Sequence, residues 1–380
     1  MNSLRVAIVG AGPAGLFLAY KLKRSRLPVE IGIFEQNPAG ATFGFGVAFS
    51  DRALEFLNRE DPEVYGLLAR ELESWRDSII VHRGREVRID GIGYAGIGRL
   101  QLLEFLRKLA LSAGVEARYG NAVEDVSALG DADLVVGADG VNSLVRRGRE
   151  ADFGTTVSHF SCRFAWFGTR RRFEALTHTF VETGLGHFNA HHHRHAPDMS
   201  TFVVEMDEAT FFRAGFDSME PDRAKEVCER VFADTLGGHG LVSNKSIWRQ
   251  FPRIWNERWS ARNHVLLGDA AHTAHFSIGS GTRLAMEDAI ALAGALEQQP
   301  DDLPAALAAY EAARKPIVEK LVAAADASAA WYDRFPEHMS LPPMDFAMSY
   351  ITRSGRIDMD RLRKLAPAFV AAYEASRQHQ

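Results

Sequence analysis

The chain is poor in cysteine, in long apolar runs and in net positive charge, and each shortage excludes a class of protein. Its two cysteines, Cys162 and Cys228, lie far apart in sequence. They make neither a metal-ligand spacing nor a disulfide framework, so a reducing compartment, the cytoplasm, is the expected home. No apolar run reaches the roughly 18–20 residues of a membrane span, so a soluble protein is expected. The apolar stretch Val6–Leu18 is broken by Gly10, Gly12, Pro13 and Gly15, and no clear cleavage site follows it, unlike a secretory signal. A formal net charge of −5 argues against a general nucleic-acid binder, which needs a basic excess. Internal repeats, low-complexity tracts and flexible linkers are missing too. What remains is 380 residues, enough for two packed domains or one large one.

The first elements are legible from pattern. Residues 4–9 form a short apolar, β-branched run ending at Gly10, the signature of a buried parallel strand. Leu16–Arg24 carries apolar residues at helical spacing, and Val29–Phe34 reads as a second strand closed by Glu35. Leu100–Ala113 is a helix candidate, and Leu134–Val136 a further buried strand running into Gly137-Ala-Asp139-Gly140. From about 155 to 255, runs such as Phe160–Gly168, Thr177–Glu182 and Thr201–Met206 alternate with turn residues and suggest antiparallel strands. The buried-strand signature returns at His264-Val-Leu-Leu-Gly268-Asp269, followed by a helical stretch from Thr282 to Ala330 expected to break near Pro300 and Pro316. The expected class is α/β, with a strand-rich insertion in a discontinuous nucleotide-binding domain.

Gly10-Ala-Gly12-Pro13-Ala14-Gly15 matches G-x-G-x-x-G, a weak signal alone. Here it follows a strand, opens a helix and precedes Glu35 at the next strand end, which strengthens it. Gly10 permits the tight turn, Gly12 lets backbone approach a pyrophosphate, and Gly15 allows the helix close to the sheet. The helix N-terminus offers free N–H groups to phosphates, and Glu35 is placed to accept ribose hydroxyls. FAD and NAD both remain open on this motif. Asp139 and Asp269 each follow a buried strand, where a carboxylate can meet ribose or ribityl hydroxyls; either could instead cap a turn or helix.

Together these motifs resemble the single-component FAD-dependent aromatic hydroxylases, the para-hydroxybenzoate hydroxylase-like family. The resemblance implies a Rossmann-like FAD-binding domain (residues 1–75, 98–155 and 260–330), a mainly antiparallel substrate domain (76–97 and 156–259) and a helical C-terminal extension (331–380). It puts Asp139-Gly140 where flavin and nicotinamide nucleotide can both be influenced, and Asp269 at the ribityl chain. It places Gly279, Gly281 and Thr282 at the helix start beneath the flavin ring, and Arg99 near the phosphates. Pro13, Ala14, Gln36 and Val123 complete the implied cofactor shell. One dinucleotide fold without a second glycine fingerprint fits tightly bound FAD, with NADH or NADPH visiting as co-substrate.

The likeness narrows where the family usually has Pro-Pro and this chain has His275-Phe276. The string from His275 to Ala289, with Gly44-Phe-Gly-Val-Ala-Phe-Ser-Asp51, residues 202–215 and Thr352-Arg-Ser-Gly-Arg356, is similar to salicylyl-CoA 5-hydroxylases and the N-terminal part of 2-aminobenzoyl-CoA monooxygenases. The latter carry a further reductase-like domain; ending at 380, this chain looks like the stand-alone enzyme. The resemblance implies hydroxylation of an aryl-CoA by O2, with salicylyl-CoA giving gentisyl-CoA as the leading case. A free aromatic or indolic intermediate is the alternative substrate, and a non-catalytic nucleotide-binding module the alternative class. It also allows a homodimer.

Site candidates follow. Phe43, Phe45, Phe49 and Phe276 are candidates for an apolar, water-excluding pocket, with Phe45 and Phe276 taken as substrate contacts. His275 is the candidate acid–base residue, although an imidazole satisfied by backbone fits equally; His272 reads as structural. His187, His191, His192, His193 and His195 are expected in a solvated, turn-like loop and not at a metal. Arg170–Arg172 and Arg83, Arg85 and Arg88 are candidates for CoA phosphates.

Overall fold

The computed structural model describes residues 3–378. The apolar run Leu4–Val9 lies inside a six-stranded sheet, ordered Ser260–Ala261, His264–Leu266, Leu134–Gly137, Leu4–Val9, Val29–Glu35, Ala117–Tyr119. All neighbours are parallel except the short Ser260–Ala261 edge. Strands buried on both faces need continuous apolar runs, which is why these segments lack alternation. The register sets Val9 beside Gly137 and Gly137 beside Leu266. The carboxyl ends of three strands distant in sequence therefore finish together, bringing Gly10, Asp139 and Asp269 to one edge.

Helix Pro13–Arg24 packs between helices Arg99–Ser112 and Gly281–Gln298. It approaches the sheet closely because position 15 has no side chain: a Cβ there would lie 2.0 Å from the Gly10 carbonyl oxygen. The Gly268 turn is pinned from below. Asp288 accepts the Gly268 N–H at 3.0 Å, contacts His272 at 2.8 Å and takes Arg314 at 2.9 Å, all with buried side chains. Burial pushes Asp288 up, but His272 and Arg314 outweigh it and hold its carboxylate below the ordinary range. His272 is structural.

The strand-rich insertion is a seven-stranded sheet, ordered Leu241–Ser243, Arg163–Thr169, Met199–Met206, Gly186–Ala196, Leu176–Thr183, Ser78–His82, Arg85–Ile89. It is antiparallel except where Leu176–Thr183 meets Ser78–His82. Gly46–Ser50, Tyr94–Gly98 and Glu73–Trp75 form a small sheet beside it, so residues 94–97 pair with strands of the first segment. Helices Pro343–Thr352 and Pro367–Arg377 pack on the Arg85–Ile89 side, over a core of Phe180, Trp331, Phe346 and Phe369.

Two expectations change. The histidine-rich segment is not a solvated loop but the strand Gly186–Ala196, with His192, His193 and His195 buried. Phe188 and Ala190 alternate with polar neighbours and seat one face on the core, so the period of two governs. The helical stretch breaks between Gln298 and Leu303, but Pro316 does not break it: Leu303–Asp333 is one helix. Proline removes one helical hydrogen bond, at about 3 kcal/mol. Tyr310, Arg314, Val318 and Leu321, buried on either side, hold the helix against that cost. Among the described residues no helix is long and apolar enough to cross a membrane.

Candidate active site

The aligned strand ends open into a cavity of about 960 Å³ that runs from the glycine turn to the seven-stranded sheet. At one end stand Gly10, Gly12, Pro13, Ala14, Glu35, Gln36, Arg99 and Val123; next come Asp139, Asp269, Gly279, Gly281 and Thr282. Gly15 lies behind the turn, as its packing role requires. Gly10, at φ +104°, sits so near the neighbouring strand that a Cβ would fall 2.4 Å from the Ala138 oxygen.

Several groups at this end have bonding capacity left over. The helix at Pro13 has Gly12 as its N-cap and no side-chain cap, leaving its first N–H groups directed to the cavity. The Arg99 guanidinium makes no hydrogen bond or ion pair to a described residue and lies 5.7 Å from the Trp166 ring. Burial lowers its pKa, partly offset by Asp269. Asp269 opens onto the cavity with no hydrogen-bond partner among the described residues; burial raises its carboxyl, while His272 and Arg99 pull it down. Glu35 accepts the Ala11 N–H at 2.9 Å, and its other oxygen takes Asn37. Asp139 caps the turn at Leu144 through one oxygen, at 2.6 Å, while its second oxygen is buried with no partner among the described residues. Arg146 ties this turn to the next by donating to the Ala270 and Val141 carbonyls. A cation and helix N-terminus for a pyrophosphate, with carboxylates for hydroxyls, fit a dinucleotide.

The other end is aromatic and neutral. Trp166, Leu176, His178, His191, His193, Phe251, Phe276 and Tyr350 line it. The Tyr350 hydroxyl meets His178 Nε2 at 2.7 Å. Burial, then His191 and Arg353, holds His178 well below the ordinary imidazole range. Burial and Arg353 bring His191 down to about 4. Burial pushes the Tyr350 phenol up to about 12. Arg353 lies 3.7 Å over the Tyr350 ring, and donates to the Ser277 and Tyr350 carbonyls and to Ser328 Oγ.

Several candidate residues fall elsewhere. His275 does not line the cavity; its Nδ1 caps the turn at Ser277, its Nε2 faces Glu205 at 3.7 Å, and burial brings it down to about 3. Phe43 and Phe276 line the cavity, whereas Phe45 packs over Gly168 and Phe49 joins the core with Ala53 and Leu57. Arg170 and Arg88 pair with Asp198 and Asp77, and Arg171 donates to the Asp234 carbonyl. The cavity's own arginines are Arg99 and Arg147. Sequence reasoning missed His178, His191, His193, Trp166 and Tyr350. Alternation through residues 187–195 was the available signal for the paired histidines.

Comparison with known proteins agrees with this geometry. Residues 104–325 match the family described as FAD binding domain. The chain is 40% identical over 361 residues to salicyloyl-CoA 5-hydroxylase of a Streptomyces species, covering 92% of this chain and 70% of that protein. It is 41% identical over 356 residues to 3-hydroxy-4-methyl-anthranilyl-[aryl-carrier protein] 5-monooxygenase of Streptosporangium sibiricum, covering 93% and 95%. The fold is that of P. aeruginosa PqsL, solved in complex with 2-aminobenzoylacetate, at a TM-score of 0.68, 22% identity, and coverage of 90% and 100%. The chain belongs to this FAD-binding family and is a flavin-dependent aromatic-ring monooxygenase, with NAD(P)H as co-substrate.

Proposed function

We propose that the enzyme hydroxylates an aromatic acyl thioester, with salicylyl-CoA oxidised at ring position 5 to gentisyl-CoA as the leading case. The observation that carries this is the charge of the aryl end. A free aromatic acid would bring a carboxylate, and burying an unpaired carboxylate costs several kcal/mol. Apart from Arg99, which lies 5.7 Å from the Trp166 ring and is taken here for the FAD phosphates, the lining from Trp166 to Tyr350 offers no unengaged cation: its imidazoles are held neutral and Arg353 is spent on Tyr350, Ser277 and Ser328. A thioester carbonyl is neutral and suits such a wall. The relatives named for a CoA thioester and for a carrier-protein thioester support the same class.

Bound FAD would supply oxygen activation, with Arg99 at its phosphates and Glu35 and Asp269 at its hydroxyls. The residues of this chain then bind, orient and shield. Phe251, Phe276 and Trp166 exclude water from the reacting ring. His178 holds the Tyr350 hydroxyl in place at the cavity wall, and Arg353 fixes the ring of Tyr350 from behind. A ring hydroxyl ortho to the acyl group sends oxygen to its para carbon, position 5. Division into FAD-binding and substrate domains and assembly as a homodimer belong to the same proposal.

The test is NADH oxidation by FAD-loaded enzyme, with product counted against peroxide. Salicylyl-CoA should stimulate oxidation and yield hydroxylated thioester, and salicylate should do neither. Equal stimulation by the free acid with the thioester ignored would overturn the proposal.

A further inference from the structure

His193 stands apart among the buried imidazoles of the aryl end. It is 3% exposed, lines the aryl end, and neither of its ring nitrogens has a hydrogen-bond partner among the described residues. His82, His192 and His272 are also buried, yet the second ring nitrogen of each has a partner, at Leu341, Thr179 and Asp288. His192, next along the strand but on the opposite face, meets Thr179 at 3.0 Å and stacks on Phe202 in the core. The His193 ring instead packs beside Trp75, 5.6 Å away, and the backbone at Gly96, and the residue lines the cavity. A buried polar group left unpaired is costly, so one that faces a ligand cavity is best explained by a ligand partner.

The group is a neutral imidazole, because burial, followed by His191 and His195, keeps its proton affinity well below the ordinary range. It therefore presents one N–H and one bare nitrogen. The bare nitrogen can accept from a neutral hydroxyl or amino group and cannot pair with a carboxylate.

Resting on the thioester assignment, we propose that His193 reads the ring substituent that directs hydroxylation: its bare nitrogen accepts the proton of an ortho hydroxyl or amino group on the aryl thioester. That contact fixes which edge of the ring faces the sheet and therefore where in the cavity the carbon para to the donor lies. It also leans electron density from the O–H or N–H into the ring. His193 is thus a specificity-determining residue for a donor-bearing aryl group, absent from any motif in the sequence.

The test compares ligands differing only in that donor. Salicylyl-CoA and benzoyl-CoA are titrated against FAD-loaded enzyme and followed by the flavin absorbance. The wild type should prefer salicylyl-CoA by about tenfold, the worth of one buried hydrogen bond. His193→Phe keeps a flat ring without nitrogen and should bind both alike, with FAD affinity unchanged. His193→Gln restores an acceptor and should recover part of the preference. Retention of the full preference in His193→Phe overturns the proposal; so does loss of FAD affinity with the preference intact, since the imidazole would then serve the cofactor. If His193→Phe does not fold, His193→Leu and His193→Gln carry the same comparison. If neither thioester binds the wild type, the thioester assignment fails separately, and salicylate against benzoate decides the role of His193.

Discussion

The two ends of the cavity were built by different rules. At the nucleotide end Gly10, Asp139 and Asp269 each sit within a few positions of a strand end, and the parallel register assembles them. At the aryl end the lining comes from positions 166, 178, 191, 193, 251, 276 and 350, drawn from the seven-stranded sheet, the residue before strand Pro252–Asn256, the turn after Asp269 and a C-terminal helix. The first end is charged and carries spare donors and acceptors around Arg99, Asp139 and Asp269. The second is aromatic, holds its imidazoles neutral and engages Arg353. A charged dinucleotide and a neutral aryl group each find the end that suits them.

The largest break of this contrast is at the glycine turn. Gly10→Ala places a Cβ against Ala138 at positive φ. It should abolish flavin retention and lower stability by about 1–3 kcal/mol, measured as flavin absorbance per protein and by thermal unfolding. Asp269→Ala should be smaller: FAD binding about 10–100-fold weaker, from one lost charge-assisted hydrogen bond. The preference among aryl ligands should be unchanged in the enzyme that still holds FAD. A matching loss of aryl preference would show that the ends are not separate.

Those two predictions concern the part that sequence made legible. G-x-G-x-x-G, Glu35 and the two strand-end aspartates are local patterns, whose chemistry can be read from neighbours a few residues away. The aryl end was largely illegible, for physical reasons. Tyr350 reaches it because the helix Pro343–Thr352 packs on the far strands, a tertiary fact that no local pattern carries. The histidine strand was masked by its polarity: buried imidazoles look like a solvated run until Phe188 and Ala190 are seen to set the face. His275 lay beside the most specific resemblance in the chain, yet geometry makes it a turn cap. Pro316 lay inside a helix whose tertiary packing overrode the local rule.

A pH measurement sharpens the contrast further. Behind the aryl wall, burial pushes the Glu205 carboxyl up to about 8. A raised pKa means the folded state prefers the proton, so its stabilising contribution is present below the unfolded value near 4.5 and is lost as pH rises toward 8. Glu205→Gln should therefore flatten the fall in melting temperature between pH 5 and about 8. An unchanged slope would mean that Glu205 is already ionised in the fold. The smallest effect is expected at His275→Gln. Loss of the turn cap should cost about 1 kcal/mol of stability and leave turnover within about threefold. A collapse of turnover with binding intact would restore His275 as a catalytic residue.

The central claim, a neutral aryl end that takes a carbonyl and refuses a carboxylate, is tested most directly without CoA. Methyl salicylate and salicylate share a ring and hydroxyl and differ in that charge. Titrated into FAD-loaded enzyme near neutral pH, the ester should perturb the flavin spectrum at concentrations where the carboxylate does not. Equal or tighter binding of salicylate would contradict the account, because an unpaired cation would then have to face the ring.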